Sequence, residues 1–379
     1  MIFGIPLEIK THEYRVGALP YVVDELVSRG HRVLVENRAG LDSGATDEDY
    51  QLHGAEIVPS SEKLYGQADF ILKVREPMPV EYELIRPEHT IFAFFHFLNN
   101  LEMARALVAR GCSCFAYEWL TAADGTRPIM AMNGQIAGKI AIQQGMYWLE
   151  KHNGGRGKML ANIPGAQPAR VTIVGAGAVG QNAARMAAEL GATVYLLDTN
   201  YRTLQRAKRH LPENVITLMS HEDNLRQLLP ETDLLISAVY VATDVAPVVI
   251  RKELVQLMPE GSVIVDVDID SGGGVETSKA TTHANPVFVL DGVIHYCVPN
   301  LLGVVPYTAS RGLSAAVLPY LIEIAEKGFV EAVTSDPDLR SALAVYEGRV
   351  SNRRLAEALQ MNYFSLDALN DSDSEESSQ

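Results

Sequence analysis

The sequence predicts an α/β protein of two Rossmann-like domains, each a mainly parallel sheet with helices on both faces, and a cleft between them. Three observations carry that prediction. β-rich runs alternate with helical runs along residues 1–129 and again along 130–305, the pattern of parallel strands joined by crossover helices. A GxGxxG turn lies mid-chain, after a β-rich run and before an Ala-rich one. With 379 residues and 47% hydrophobic composition, the chain is long enough for more than one core.

The elements follow in order. Residues 1–10 read as a strand, and "YVVDELVSRG" (21–30) has apolar residues at helical spacing with a terminal Gly. "RVLVEN" (32–37), "ADFILKV" (68–74) and "TIFAFFHF" (90–97) are β-rich, and "LEMARALVARG" (101–111) is helical. A long helical pattern from Gln135 to Lys151 precedes the Gly-rich stretch 153–168, which reads as an entry into a new domain. The strands expected there are 169–175, 193–198, 233–239 and 262–270. Helices return at 314–328 and 353–361 and are expected to fold back on the first domain. The expected domains are 1–129 plus 306–369, discontinuous, which binds substrate, and 130–305, which binds a dinucleotide. Residues 370–379, "NDSDSEESSQ", read as a disordered acidic tail by composition.

Bulk properties exclude some function classes. A net charge of −15 argues against nucleic acid, whose phosphates require clustered Lys and Arg. The three cysteines, Cys112, Cys114 and Cys297, form no CxxC or Cys/His pattern, so a reducing compartment is the default. The run "IFAFFHFL" (91–98) is too short to span a bilayer. The start "MIFGIPLEIK" is charged too soon for a signal peptide. The expectation is a cytoplasmic protein without membrane or nucleic-acid partners.

The glycine turn falls on Gly175, Gly177 and Gly180, with Val179 inside it. Gly175 permits the tight turn, Gly177 lets the backbone approach a pyrophosphate, and Gly180 lets the helix pack on the sheet. The helix N-terminus offers amide donors to the phosphates. Asp198 closes the next strand at the spacing expected of a ribose-binding acid. Its carboxylate suits NAD and repels the 2′-phosphate of NADP. Arg202 and Arg206 lie just beyond and leave some NADP use open.

Hydride chemistry also needs a substrate side. Arg15, in "HEYRVGALP", is a planar permanent cation suited to a carboxylate. Lys73 and Arg75 end a predicted strand, and their i, i+2 spacing points both to one face. His96 ends another, where loops of α/β proteins build sites. Its ring suits proton transfer near neutral pH, and a core role for a histidine among phenylalanines is the alternative. "VDVDIDSGGG" sets Asp266, Asp268 and Asp270 at alternate positions. Three acids on one buried face would repel one another, so the strand is expected to end here, with Asp270 in a glycine-permitted loop. The triplet lacks Ca-loop geometry, and no metal site is expected.

These motifs, together with "GIPLEIKTHEYRV", "ILKVREP", "FFHFL", "AYEW", "GGRG…IPG", "VDVDIDSGG", "YCVPNLLGVVP" and "YEGRVSNRRLAEAL", make the chain similar to the alanine dehydrogenases over nearly its whole length. The alpha subunit of proton-translocating transhydrogenase is a more distant likeness. The resemblance implies that Arg15 binds the substrate carboxylate, His96 is the catalytic acid/base and Asp270 the catalytic aspartate. It implies that Asp198 holds ribose, that Ser220 and the Ala238–Val239 turn line the dinucleotide site, and that Asn300 lies near the nicotinamide. The transhydrogenase subunit lacks the His96/Asp270 pair, which favours a dehydrogenase. NAD-dependent oxidation of an amino acid to a 2-oxo acid and ammonia is implied, or its reverse, by a homo-oligomer, a hexamer or dimer. Two domains around a cleft suggest hinge closure on the cofactor.

Several pocket positions depart from the family pattern. Arg75 stands where the family has a lysine, and Asn133, Gly134 and Gln135 replace a methionine, a serine and a glutamate. Leu301 stands beside Asn300, and "VYVATDVAP" (239–247) lacks a Pro-Gly pair. Gly134 is expected to open space, while Arg75 and Asn133 add donors, which suits a larger or more polar amino acid than alanine. Two other readings stay open: an imine or opine-type reductase forming a secondary amine, and an NAD(H)-binding subunit without turnover.

Overall fold

The computed structural model describes residues 1–239 and 247–369. Most of "VYVATDVAP" and the acidic segment 370–379 therefore lie outside the described residues. The strands are β1 (Ile2–Ile5), β2 (Arg32–Glu36), β3 (Glu56–Val58), β4 (Phe70–Arg75), β5 (Thr90–Phe94), β6 (Ser113–Ala116), β7 (Arg170–Val174), β8 (Thr193–Asp198), β9 (Val215–Met219), β10 (Leu234–Ser237), β11 (Val263–Asp266), β12 (Val287–Leu290), β13 (Val293–Tyr296), β14 (Leu343–Tyr346) and β15 (Arg349–Val350). They form an eight-stranded sheet, β15-β14-β6-β5-β4-β1-β2-β3, and a seven-stranded sheet, β12-β13-β11-β10-β7-β8-β9. Both are parallel except at one edge, where β14 runs antiparallel to β6 and β15, and β12 antiparallel to β13. The chain divides into two compact units, Met1–Met132 with the chain from Gly303 onward, and Asn133–Leu302. The boundary falls inside the long helix Pro128–Leu149.

In the first unit the central strands are buried on both faces, as in parallel sheets covered by helices. β5 is buried at every position, and Phe92 stacks on Phe115 at 4.5 Å. The helix Pro306–Lys327 joins this unit by side-chain hydrogen bonds. Val16 N–H donates to Ser310 Oγ (3.0 Å) and Leu19 N–H to Ser314 Oγ (3.1 Å). These bonds anchor the segment that carries Arg15 to the C-terminal part of the chain.

In the second unit the chain turns one way from β7 to β8 and β9, and the other way from β10 to β11 and β13. The crevice beyond the carboxyl ends of β7 and β10 is thus the topological switch point where α/β sheets bind ligands. The Gly-rich entry loop is tied to the start of this sheet. The buried Asp233 carboxylate accepts from Arg156 (2.5 Å), Lys158 (3.0 Å) and the Arg170 amide (2.9 Å). No helix among the described residues is long and apolar enough to cross a membrane.

Candidate functional site

In the first unit the substrate-side residues expected from the sequence lie beyond the carboxyl ends of β1, β4 and β5, three adjacent parallel strands. The segment after β1 brings Arg15, β4 ends in Arg75, and His96 follows β5. Arg15 is buried, and Glu13 accepts from its Nε (2.7 Å), its Nη2 (2.5 Å) and its backbone amide (3.0 Å). Burial alone would push the Glu13 carboxyl up. Arg15 outweighs that and holds it below the usual carboxylate range. The guanidinium is thus fixed in plane by its neighbour two residues earlier.

His96 has left-handed backbone, φ 50° and ψ 47°, a sparsely populated conformation that persists only where its surroundings enforce it. Glu118 enforces it here. Its carboxylate accepts the amides of His96 (2.6 Å) and Phe95 (3.3 Å). The half-buried imidazole stacks parallel to Phe94. The turn therefore presents the ring at the strand end instead of burying it in the core. Glu118 belongs to "AYEW", and sequence reasoning gave it no role. Its signal was a buried-type glutamate directly after an apolar strand.

Lys73 does not share an open face with Arg75. The register between β4 and β5 shifts between Leu72 and Arg75, and such an irregularity breaks strand alternation. Lys73 is wholly buried, its ammonium 2.9 Å from Glu81 and 3.2 Å from Glu8. The two carboxylates hold the ammonium pKa above its ordinary value against desolvation. Two acids face one cation, and burial pushes the Glu8 carboxyl up despite Lys73. Glu8 also accepts the amides of Val74 (2.6 Å) and Arg75 (3.3 Å), which joins the β1 loop to the end of β4. Arg75 is mostly buried and lies 3.0 Å from Glu76, which also pairs with Lys10.

In the second unit the glycine turn has the form its sequence predicts. Gly175 has φ 104°, and a Cβ there would lie 2.0 Å from Ala238 O. A Cβ on Gly180 would lie 1.8 Å from Gly175 O. At Gly177 a Cβ would meet nothing within 4 Å. The space over Gly177 is open to a bound group, whereas the other two glycines are packing necessities. Gly177 also caps the helix Ala178–Glu189, and Val179 sits half-buried in its first turn, where free amides favour an anion. Asp198 accepts the Ala176 amide (2.8 Å) and the Asn200 amide (2.7 Å), which sets its carboxylate beside the turn. Ser220 N–H donates to Asp198 O at 2.9 Å. This cradle fits a dinucleotide: an open glycine, a helix N-terminus and an acid at the end of β8.

Gly134 does not open space. A Cβ there would lie 2.6 Å from Ala178 Cβ and 3.2 Å from Val179 N. The missing side chain lets the helix Pro128–Leu149 press against the start of the glycine-turn helix. Asn133, one residue earlier, is half-buried.

Beyond β11 the strand ends at Asp266, and a turn at Ile269–Ser271 carries Asp270 into solvent. Asp270 Oδ2 accepts the amide of Asn300 (3.1 Å), itself left-handed at φ 54°. Asp266 is buried and accepts the amides of Gly274 and Val275, both at 3.2 Å. Asp268 lies between the two. Burial, with Asp266 and Asp270 beside it, raises its pKa to about 7, and the Val239 amide pulls the other way.

Models of the two halves of one family match the chain: "Alanine dehydrogenase/PNT, N-terminal domain" over 4–137 and "Alanine dehydrogenase/PNT, C-terminal domain" over 141–353. The chain belongs to the alanine dehydrogenase/PNT family. Within that family it is 41% identical over 363 residues to "Alanine dehydrogenase" of Halomonas elongata, covering 96% of this chain and 98% of the relative. It is 41% identical over 365 residues to "Alanine dehydrogenase" of Bacillus subtilis, covering 96% of each. A solved "L-alanine dehydrogenase" superposes with TM-score 0.90 at 37% identity, over 95% of this chain and 99% of that one. A transhydrogenase from Sinorhizobium meliloti superposes with TM-score 0.80 at 24% identity, over 92% and 100%, and shares the fold.

Proposed function

We propose that the chain is an NAD-dependent amino-acid dehydrogenase of the alanine type, which converts L-alanine and water to pyruvate and ammonium, or the reverse. The observation that carries this reading is the His96 turn, strained and clamped by Glu118, at the end of β5, in the sheet whose strand β1 leads into the segment of Arg15. The roles of the family's motifs come to these positions residue by residue. Arg15 holds the substrate carboxylate, its plane set by Glu13. Gly175, Gly177, Val179, Gly180, Asp198, Ser220, Val239 and Asn300 would hold NAD, which would supply the hydride acceptor. Loss of hydride from Cα leaves an imine. Asp270 favours its cationic form. His96 takes a proton from the attacking water and returns one to the nitrogen, and the carbinolamine collapses to the oxo acid and ammonium.

The assignment of Lys73 changes under this reading. Lys73 sets the β4 end from inside the sheet, and Arg75 and Asn133 remain the groups that tune the substrate. The packing of Gly134 against Ala178 removes one argument for a larger substrate and favours alanine. Oxidation of NADH by pyruvate, with and without ammonium, tests the reading. Turnover that requires both, and falls by roughly 10²–10⁴-fold in H96Q, is expected. No turnover with pyruvate, or turnover independent of ammonium, overturns it.

A further inference from the structure

Asp268 has no part in the roles assigned above, yet the structure builds a specific setting around it. Its Oδ2 is buried without a hydrogen-bond partner among the described residues. Unpaired buried carboxylates are costly, and protonation relieves the cost. Among the described residues the groups that shift it are few. From its own strand and turn come the carboxyls of Asp266 and Asp270, and from the end of β10 comes the Val239 amide. His295 on β13 faces Asp266 instead, and no cation is among the groups that shift Asp268. The backbone of Asp268 is equally committed. Its carbonyl accepts the amides of Ser271 (2.8 Å) and Gly273 (3.1 Å), which closes the turn that carries Asp270.

Position in the fold gives this carboxyl its meaning. The glycine turn and Asp198 occupy the β7–β8 side of the switch point, the pyrophosphate and ribose half of the cradle. Val239 and Asp268 follow β10 and β11, on the other side, where the nicotinamide end of a dinucleotide extends. We propose that Asp268 is a proton-linked sensor of nicotinamide charge: it ionises beside the cationic ring of NAD+ and takes up a proton when the ring is neutral, as in NADH.

This inference rests on the dinucleotide reading above. The proton comes from solvent and returns to it, and no bond to substrate changes at Asp268. An acid already poised near neutral pH converts a nearby charge change into a change of protonation. Reciprocity then requires that pH shift the two cofactor affinities differently. The ionised form, favoured as pH rises, strengthens NAD+ and weakens NADH. Asp268 would act as a positioning residue for charge, since Asp270 keeps the substrate-side role.

The test is a fluorescence titration of NADH, with NAD+ as competitor, at pH 6 and pH 8, for the full-length wild type and D268N. In the wild type the preference for NADH over NAD+ falls by roughly fivefold or more across that range, the consequence of a pKa difference of about one unit between the two complexes. In D268N, which keeps shape but cannot ionise, the preference is flat. A second measurement needs no variant. Calorimetry of NADH binding at pH 7 in buffers of different ionisation enthalpy shows net proton uptake. A pH-independent preference in the wild type, or one that persists in D268N, overturns the proposal while leaving the dinucleotide reading intact. Failure of both NADH and NAD+ to bind at either pH overturns the dinucleotide reading and the proposal with it.

Discussion

A lysine with no exposed surface has two possible jobs, and Lys73 can be tested for each. Between Glu8 and Glu81 it neutralises a core that would otherwise hold two unpaired acids. Removing one partner of a buried ion network typically costs ~3–5 kcal/mol. K73M is therefore expected to lower the unfolding free energy by about that amount, read from urea denaturation as a lower midpoint. A variant of wild-type stability with only a raised KM would return Lys73 to the substrate. Asp268 makes a prediction of opposite sign. Its folded-state pKa of about 7 lies above the ordinary 3.8, so the folded protein holds a proton there that the unfolded chain has lost. Stability from this group is complete below the ordinary value and declines as pH rises through about 7. D268N should then stabilise the protein more at pH 8 than at pH 5, read as the difference in thermal midpoint. An equal shift at both values would place the proton elsewhere. The spacing of Lys73 and Arg75 was legible in the sequence, but the register shift that separates their surroundings was not. Long-range partners such as Glu8 and Glu81 decide burial, and no local pattern reveals them. The acids of "VDVDID" were legible as a repulsive cluster. The structure resolves that cluster by ending the strand at Asp266 and by raising the pKa values of Asp266 and Asp268.

At the scale of elements, the three turn glycines separate cofactor binding from folding. G177A places its Cβ in open space at φ −73°, which alanine adopts without strain. The variant is expected to melt with the wild type while NADH affinity falls at least tenfold. G180A meets Gly175 O at 1.8 Å and should lose stability instead, by roughly 1–3 kcal/mol as overpacking does. If G177A bound NADH as well as the wild type, the cradle would lie elsewhere. The glycine turn was readable because each of its constraints is local: one turn, one helix start, one acid at fixed spacing. Gly134 shows the limit of such reading. A glycine in a substrate-side motif suggests space, yet its Cβ position is filled by Ala178, many residues away in sequence. His96 was readable as a strand-end histidine, but the Glu118 clamp that strains it depends on the pairing of β5 with β6.

At the scale of the whole molecule, the alternation of β-rich and helical runs was enough to predict two mainly parallel sheets. The antiparallel edges escaped, since β14, β15 and β12 are short and their pairing depends on tertiary context. The expected homo-oligomer can be measured directly: light scattering should report a hexamer or dimer of the 41.5 kDa chain, and a monomer at all concentrations would contradict it. The most direct measurement of the central claim is stoichiometric. Purified protein is given NAD+ and L-alanine, and NADH, pyruvate and ammonium are each quantified. The account predicts the three products in equal amounts. No NADH, or NADH formed without ammonium, would contradict it.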